Sequence, residues 1–203
     1  MEHRFWEENL PVSCEVNHAG AHQTSARRRI TRLATITSAP DSAAAAVDSR
    51  AGKYLVFDLG REEFGIQVLK VREIMGIQDI TAVPHTPAHV KGVINLRGKV
   101  IPVIDLRLKF GLPAAEYTQR TCIIVVQVEG AAAPVPIGVV VDAVAEVLSL
   151  AAGDIEDTPD FGRGIVTPYL LGLAKVKGKV KILLDIGQAL SHDDLRGIAT
   201  LTP

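Results

Sequence analysis

The feature that most constrains this chain is a repeat within it. Gly92-Val93-Ile94-Asn95-Leu96-Arg97-Gly98-Lys99-Val100 lies over Gly172-Leu173-Ala174-Lys175-Val176-Lys177-Gly178-Lys179-Val180, 80 residues further on. The match runs on to Asp105 and Asp185, each at the end of an apolar stretch. A second pair lies 73 residues apart: Gly65-Ile66-Gln67-Val68 and Val71-Arg72-Glu73-Ile74 over Gly138-Val139-Val140-Val141 and Val144-Ala145-Glu146-Val147. Ungapped matches in the same order indicate a duplicated unit. Each copy holds a Gly-apolar strand, a V-x-E-[IV] strand and a hairpin closed at a glycine turn.

The units are built of strands. Lys53–Leu59 alternates, with Leu55, Phe57 and Leu59 on one face. Phe64–Val68, Gly92–Leu96, Val100–Leu106, Cys122–Val128, Pro136–Val141, Tyr169–Val176 and Val180–Ile186 are short Val/Ile-rich runs between polar or glycine turns. That pattern is all-β. Brief helices fit Asp105–Phe110 and Ile186–Leu190. A duplicated all-β unit predicts two small β-barrels in one domain, since closed sheets hide their edges.

The chain has 203 residues, 47% of them hydrophobic, which suffices for a core without metal or disulfide staples. Residues 1–50 show no lasting period and combine an Arg27-Arg28-Arg29-Ile30-Thr31-Arg32 cluster with a Ser/Ala stretch. They are expected to be a disordered extension, unable to bury enough apolar surface to offset ordering entropy. The domain is expected over 51–196, with halves at 53–115 and 116–192, strand exchange between them left open, and a tail at 197–203. A net charge of -1 removes the electrostatic reason to expect nucleic-acid binding. No window reads as membrane-spanning: the most apolar one, Pro134–Leu150, carries Asp142 and Glu146. Met1–Leu10 holds three glutamates and lacks a signal peptide's apolar core. Cys14 and Cys122 form no secreted disulfide framework, which favours a reducing cytoplasm.

Signals for chemistry are poor. Gly172 to Gly178-Lys179 imitates a phosphate loop, but its spacing is one residue too long and Val180 replaces the Ser or Thr. His85 and His89 are four apart, yet Pro84 and Pro87 argue against the helix a metal pair would need. No G-x-S-x-G elbow occurs, and Cys122 reads as a small core residue rather than a thiolate. Asp142 and Glu146 would share a face of one strand, without an aromatic platform beside them. The profile is that of a binding module without catalysis, cofactor or metal. A small β-barrel enzyme or ligand-binding domain is the rival reading. Arg97, at a hairpin tip beside Gly98, is the most suggestive side chain, since the planar multi-donor head of arginine suits interfaces.

Lys53–Leu59, Phe64–Ile74 and above all the string from Gly92 to Arg107, G-V-I-N-L-R-G-K-V-I-P-V-I-D-L-R, resemble the CheW family of bacterial chemotaxis coupling proteins. Gly138–Leu150, Tyr169–Leu173 and Ile182–Ile186 continue the likeness, which covers about Lys53 to His192. The resemblance implies two five-stranded SH3-like barrels with short helices, and a cytoplasmic adaptor at inner-membrane receptor arrays. Its implied partners are the tips of methyl-accepting chemoreceptors, the regulatory domain of a CheA-type histidine kinase, and other CheW-like proteins in rings. Val71, Glu73, Gly92 and Arg97 match family positions implicated in receptor contact, and Val144 and Val147 match apolar positions implicated in kinase docking. Asn95 reads as structural, bonding backbone near its turn. His89 stands where an aromatic or apolar residue is usual, and Ala131–Val135 lengthens a hairpin. Related adaptors of other chemosensory pathways, for pili or development, share the pattern.

Overall fold

The computed structural model describes residues 50–130, 133–159 and 168–190. The expected extension up to Ser49, the tail from 197, Cys14 and part of the Ala131–Val135 hairpin lie outside the described residues. Among the described residues, eleven strands are β1 (Gly52–Leu59), β2 (Glu62–Gln67), β3 (Val71–Gly76), β4 (Val90–Leu96), β5 (Lys99–Asp105), β6 (Cys122–Val128), β7 (Val135–Val141), β8 (Ala143–Leu150), β9 (Ile155–Glu156), β10 (Leu170–Val176) and β11 (Lys179–Leu184). Two one-turn helices, α1 (Leu106–Lys109) and α2 (Ile186–Ala189), follow β5 and β11. Both start where expected because Asp105 and Asp185 cap them. Asp105 accepts from the Leu108 amide at 3.2 Å, and Asp185 from those of Gly187 and Gln188 at 2.9 and 3.2 Å.

The strands form two sheets, ordered β8-β1-β2-β11-β10-β9 and β3-β6-β7-β5-β4. They make the two SH3-like barrels of an all-β fold. One sheet has six strands rather than five, because the two-residue β9 pairs with β10 through Glu156 and Ile155. Its counterpart in the other barrel is a single bridge between Thr81 and Val93.

The repeats do not each build their own barrel. β1 and β2 of the first repeat join β8–β11 of the second, while β6 and β7 of the second join β3–β5 of the first. Two parallel joints, β2 with β11 and β7 with β5, make this exchange together with two antiparallel ones, β1 with β8 and β3 with β6. The registers of the parallel joints coincide under the duplication: Gly65 faces Leu183 and Gly138 faces Val103. The irregularities coincide too. Arg72 and Ala145 are the extra residues of matching register shifts, as are Lys91 and Leu171.

Burial on both faces explains the near-continuous apolar runs. In β6, Ile124 and Val126 enter a core shared by both barrels, while Ile123 and Val125 fill the five-strand barrel. The shared core joins Leu55, Phe57 and Ile66 to Ile74, Ile124 and Ile137. Each such side chain contributes about 1.5–3 kcal/mol on burial. A smaller core of Tyr54, Leu150, Ile155, Ala174 and Leu183 fills the six-strand barrel. A ladder of rings, Phe57, Phe64, Phe110 and Tyr169, stacks at centroid spacings of 6.1, 5.9 and 5.4 Å. Cys122 is fully buried at the start of β6, as its apolar setting indicates, and it is not a free thiol.

Candidate interaction faces

The β4–β5 and β10–β11 hairpins close through Arg97-Gly98 and Lys177-Gly178, all four at positive φ: 51° and 84°, then 51° and 77°. Two consecutive left-handed residues make the tight turn that suits strand twist. Asn95 has the expected structural role, its Oδ1 accepting from the Gly98 amide at 2.8 Å. The turn thrusts Arg97 outward, leaving its side chain 78% exposed.

Arg97 meets Glu73, its guanidinium 2.8 Å from the Glu73 carboxylate. β3 and β4 are the two outer strands of their sheet. The ion pair therefore spans the seam where that barrel closes. An exposed pair of this kind contributes only about 0–1 kcal/mol. Its charges are thus available to a partner at little cost.

The other two residues matched to receptor contact are buried. Val71 is 5% exposed and belongs to the shared core. Gly92 is buried at φ 138°, where a Cβ would overlap the Thr81 carbonyl oxygen. Thr81 and Val93 exchange two backbone hydrogen bonds of 2.9 Å. Gly92 thus holds the 81–82 segment against the hairpin, and a side chain there would displace it. The structure brings Glu73 and Arg97 together at the surface, whereas Val71 and Gly92 are buried.

On β8, Val144 is 4% exposed and lies in the shared core, while Val147 is half-buried against the same core. Val147 is therefore the more accessible of the two apolar positions matched to kinase docking. Between them, Glu146 turns to Lys181 at 3.3 Å. Lys181 is 3% exposed and also pairs with Glu63, which takes Lys179 at 2.8 Å. The two ammonium groups hold the Glu63 carboxyl below the usual carboxylate range.

Asp142 and Glu146 do not act as a carboxylate pair. Asp142 is the single residue between β7 and β8, where the chain passes from one sheet to the other. Its carboxylate accepts from the Gly60 amide at 2.6 Å and from Arg107, tying the β1–β2 turn to α1. Beside it Asp58 faces Arg120 at 3.5 Å, and burial pushes its carboxyl up. The sequence reading missed this node, although the D-L-R string contains Arg107.

Leu69 was missed as well. It is 93% exposed on the single 3-10 turn Val68–Lys70 between β2 and β3. Nothing in an apolar run marks one leucine as outward. Val100 and Val180, equivalent under the 80-residue repeat, are 52% and 49% exposed. His89 takes the place of Tyr169 in the other repeat: their carbonyls each accept at 2.8 Å, from the Asp105 and Asp185 amides.

Among the described residues, no three His, Cys, Asp or Glu side chains gather to hold a metal ion. Among them too, no helix is long and apolar enough to cross a membrane. The imitation phosphate loop is the β10–β11 hairpin and opens no helix.

Comparison with known proteins agrees with this architecture. Residues 53–194 match the family model described as CheW-like domain. The chain is 41% identical to the chemotaxis protein CheW of Klebsiella aerogenes over 143 residues, covering 70% of this chain and 84% of that protein. It is 29% identical to Protein FrzA of Myxococcus xanthus, covering 79% and 99% of the two chains. Among solved structures, the scaffolding protein TtCheW from Thermoanaerobacter tengcongensis matches with a TM-score of 0.61 at 35% identity. That alignment covers 70% of this chain and 93% of that one.

Proposed function

The chain belongs to the CheW-like domain family and is a non-catalytic scaffold of chemotaxis, and from that premise we propose that it couples methyl-accepting chemoreceptors to a CheA-type histidine kinase. The observation that carries the proposal is the separation of two candidate faces. Glu73 and Arg97 lie on the five-strand barrel, and Val147 lies on the six-strand barrel. A protein with one face per barrel can hold two partners at once. In this reading Arg97 and Glu73 supply charge selectivity for a receptor helix. Val71 and Gly92 keep that face in shape. Val147, with Val144 behind it, offers the kinase regulatory domain an apolar contact. Receptor state then shifts kinase populations through differential contacts at the two faces. The place of action is the cytoplasm, beside receptor arrays, and other CheW-like proteins are further partners in rings.

The test is kinase autophosphorylation in receptor-containing membranes, with and without this protein. Receptor-dependent stimulation only when the protein is added supports coupling; equal kinase rates in both would overturn it. A second reading keeps the adaptor and changes the pathway. The similarity to Protein FrzA favours it. Stimulation of a kinase from a non-motility chemosensory set, and not of the motility kinase, would decide for that reading.

A further inference from the structure

The exchange of strands between repeats poses a problem of choice. β2 could pair with β5 of its own repeat instead of β11 of the other. The own-repeat pairing joins segments much nearer in sequence, so it costs less loop-closure entropy. Half of the joint does not discriminate between the two. In the observed pairing Gly65 meets Leu183 and Ile66 meets Leu184; the equivalent joint sets Gly138 against Val103 and Val139 against Ile104. These are glycine and aliphatic residues that could be interchanged.

Two positions differ in kind: Phe64 faces Ile182, whose repeat counterpart is Pro102, and Glu63 faces Lys181 across the β2–β11 joint. Under the duplication, Lys181 corresponds to Ile101 and Glu63 to Pro136. Lys181 is 3% exposed, Ile101 is 2% exposed in the core of its barrel, and both neighbours of Lys181, Glu63 and Glu146, are carboxylates. We propose that the Glu63–Lys181 pair selects the exchanged topology, by making the own-repeat pairing leave Glu63 against Ile101 and Lys181 against Pro136. In that arrangement the repeat counterpart of Glu146 is Glu73, a second carboxylate beside Glu63. Lys99, the counterpart of Lys179, could still reach Glu63, so the charge discrimination rests on Lys181. A buried charge without its partner is strongly unfavourable, whereas an apolar substitution of the whole pair is tolerated. Specificity arises here through the penalty on the wrong state, as with a single buried polar residue that fixes a coiled-coil register.

The experiment compares the full-length protein with the double variant Glu63→Leu/Lys181→Leu, both isotope-labelled and refolded from denaturant. Cross-strand nuclear Overhauser contacts report the pairing: Gly65 with Leu183 for the exchanged joint, Gly65 with Val103 for the own-repeat joint. We expect the natural protein to show only the first. The double variant should fold, yet show a second set of resonances, a tenth or more of the total, carrying the Gly65–Val103 contact. A double variant that refolds to one set of resonances with only the Gly65–Leu183 contact would overturn the proposal. The single variant Glu63→Gln keeps a polar side chain opposite Lys181 and guards against failure of the double variant to fold. It should show the same second set at a lower share, and its absence there, with an unfolded double variant, also counts against the proposal.

Discussion

The two barrels are copies of one plan that close their seams differently. In the five-strand barrel the carboxylate of the V-x-E strand, Glu73, reaches an exposed hairpin-tip arginine. In the six-strand barrel its counterpart, Glu146, turns inward to a buried lysine. The matching tip residue, Lys177, shares the backbone conformation of Arg97, while Glu146 is held elsewhere. The same position is thus a surface charge in one barrel and an internal tie in the other. The two barrels share one backbone plan, and differences at a few charged positions leave one carboxylate at the surface and tie the other inside.

The crossovers differ in the same way. The chain passes from the six-strand to the five-strand barrel at Val68–Lys70 and returns at Asp142. Leu69 and Asp142 are equivalent under the 73-residue repeat. Asp142 ties Gly60 and Arg107 together, whereas Leu69 projects into solvent. At this position one passage is pinned and the other is not.

This contrast can be broken in order of expected effect. Lys181→Leu alone should be the most damaging change, about 3–5 kcal/mol, because it leaves Glu63 and Glu146 without their buried cation. Urea unfolding measures it. Its pH dependence follows from Glu63, whose folded-state carboxyl is held down by Lys179 and Lys181. A lowered carboxyl stabilises above its unfolded-state pKa, and that stability is lost as pH falls through the folded value. The natural protein should therefore lose more stability on acidification below the usual carboxylate range than Lys181→Leu does. Equal acid slopes would show that the buried lysine carries no such linkage.

Gly92→Ala should come next, at about 3 kcal/mol, since it combines positive-φ strain with overlap on Thr81. Gly172→Ala is its control in the other barrel, where the new Cβ would lie 2.6 Å from the Glu156 carbonyl oxygen. Both should destabilise, with only Gly92→Ala reducing receptor binding. Asp142→Ala should cost about 1–3 kcal/mol by leaving the Gly60 amide and Arg107 without their acceptor, and thermal unfolding reads that loss. Arg97→Ala should be smallest for stability, about 0–1 kcal/mol for an exposed pair. Its receptor binding, measured by co-sedimentation with receptor membranes, should nonetheless fall about tenfold, or roughly 1.4 kcal/mol.

Much of this was legible in the sequence. The repeat predicted paired barrels because strand period, glycine turns and the capping aspartates Asp105 and Asp185 are local signals. The tip position of Arg97 was legible for the same reason. The exchange of β1–β2 between repeats was not, since Gly65 and Gly138 offer interchangeable pairing surfaces to β5 and β11. Burial was also hidden. Val71 and Val144 carry no mark separating a docking valine from a core valine, and only packing places both in the shared core. Lys181 reads as one more lysine in a basic hairpin until Glu63 arrives from 118 residues away.

The most direct measurement is titration calorimetry of the full-length protein against the regulatory domain of a CheA-type kinase, with Val147→Glu and Arg97→Glu run beside it. We expect micromolar-range binding that Val147→Glu abolishes and Arg97→Glu leaves unchanged, as separate faces on separate barrels require. Binding lost equally in both variants, or none with the natural protein, would contradict an adaptor with a kinase face on the six-strand barrel and a receptor face on the other.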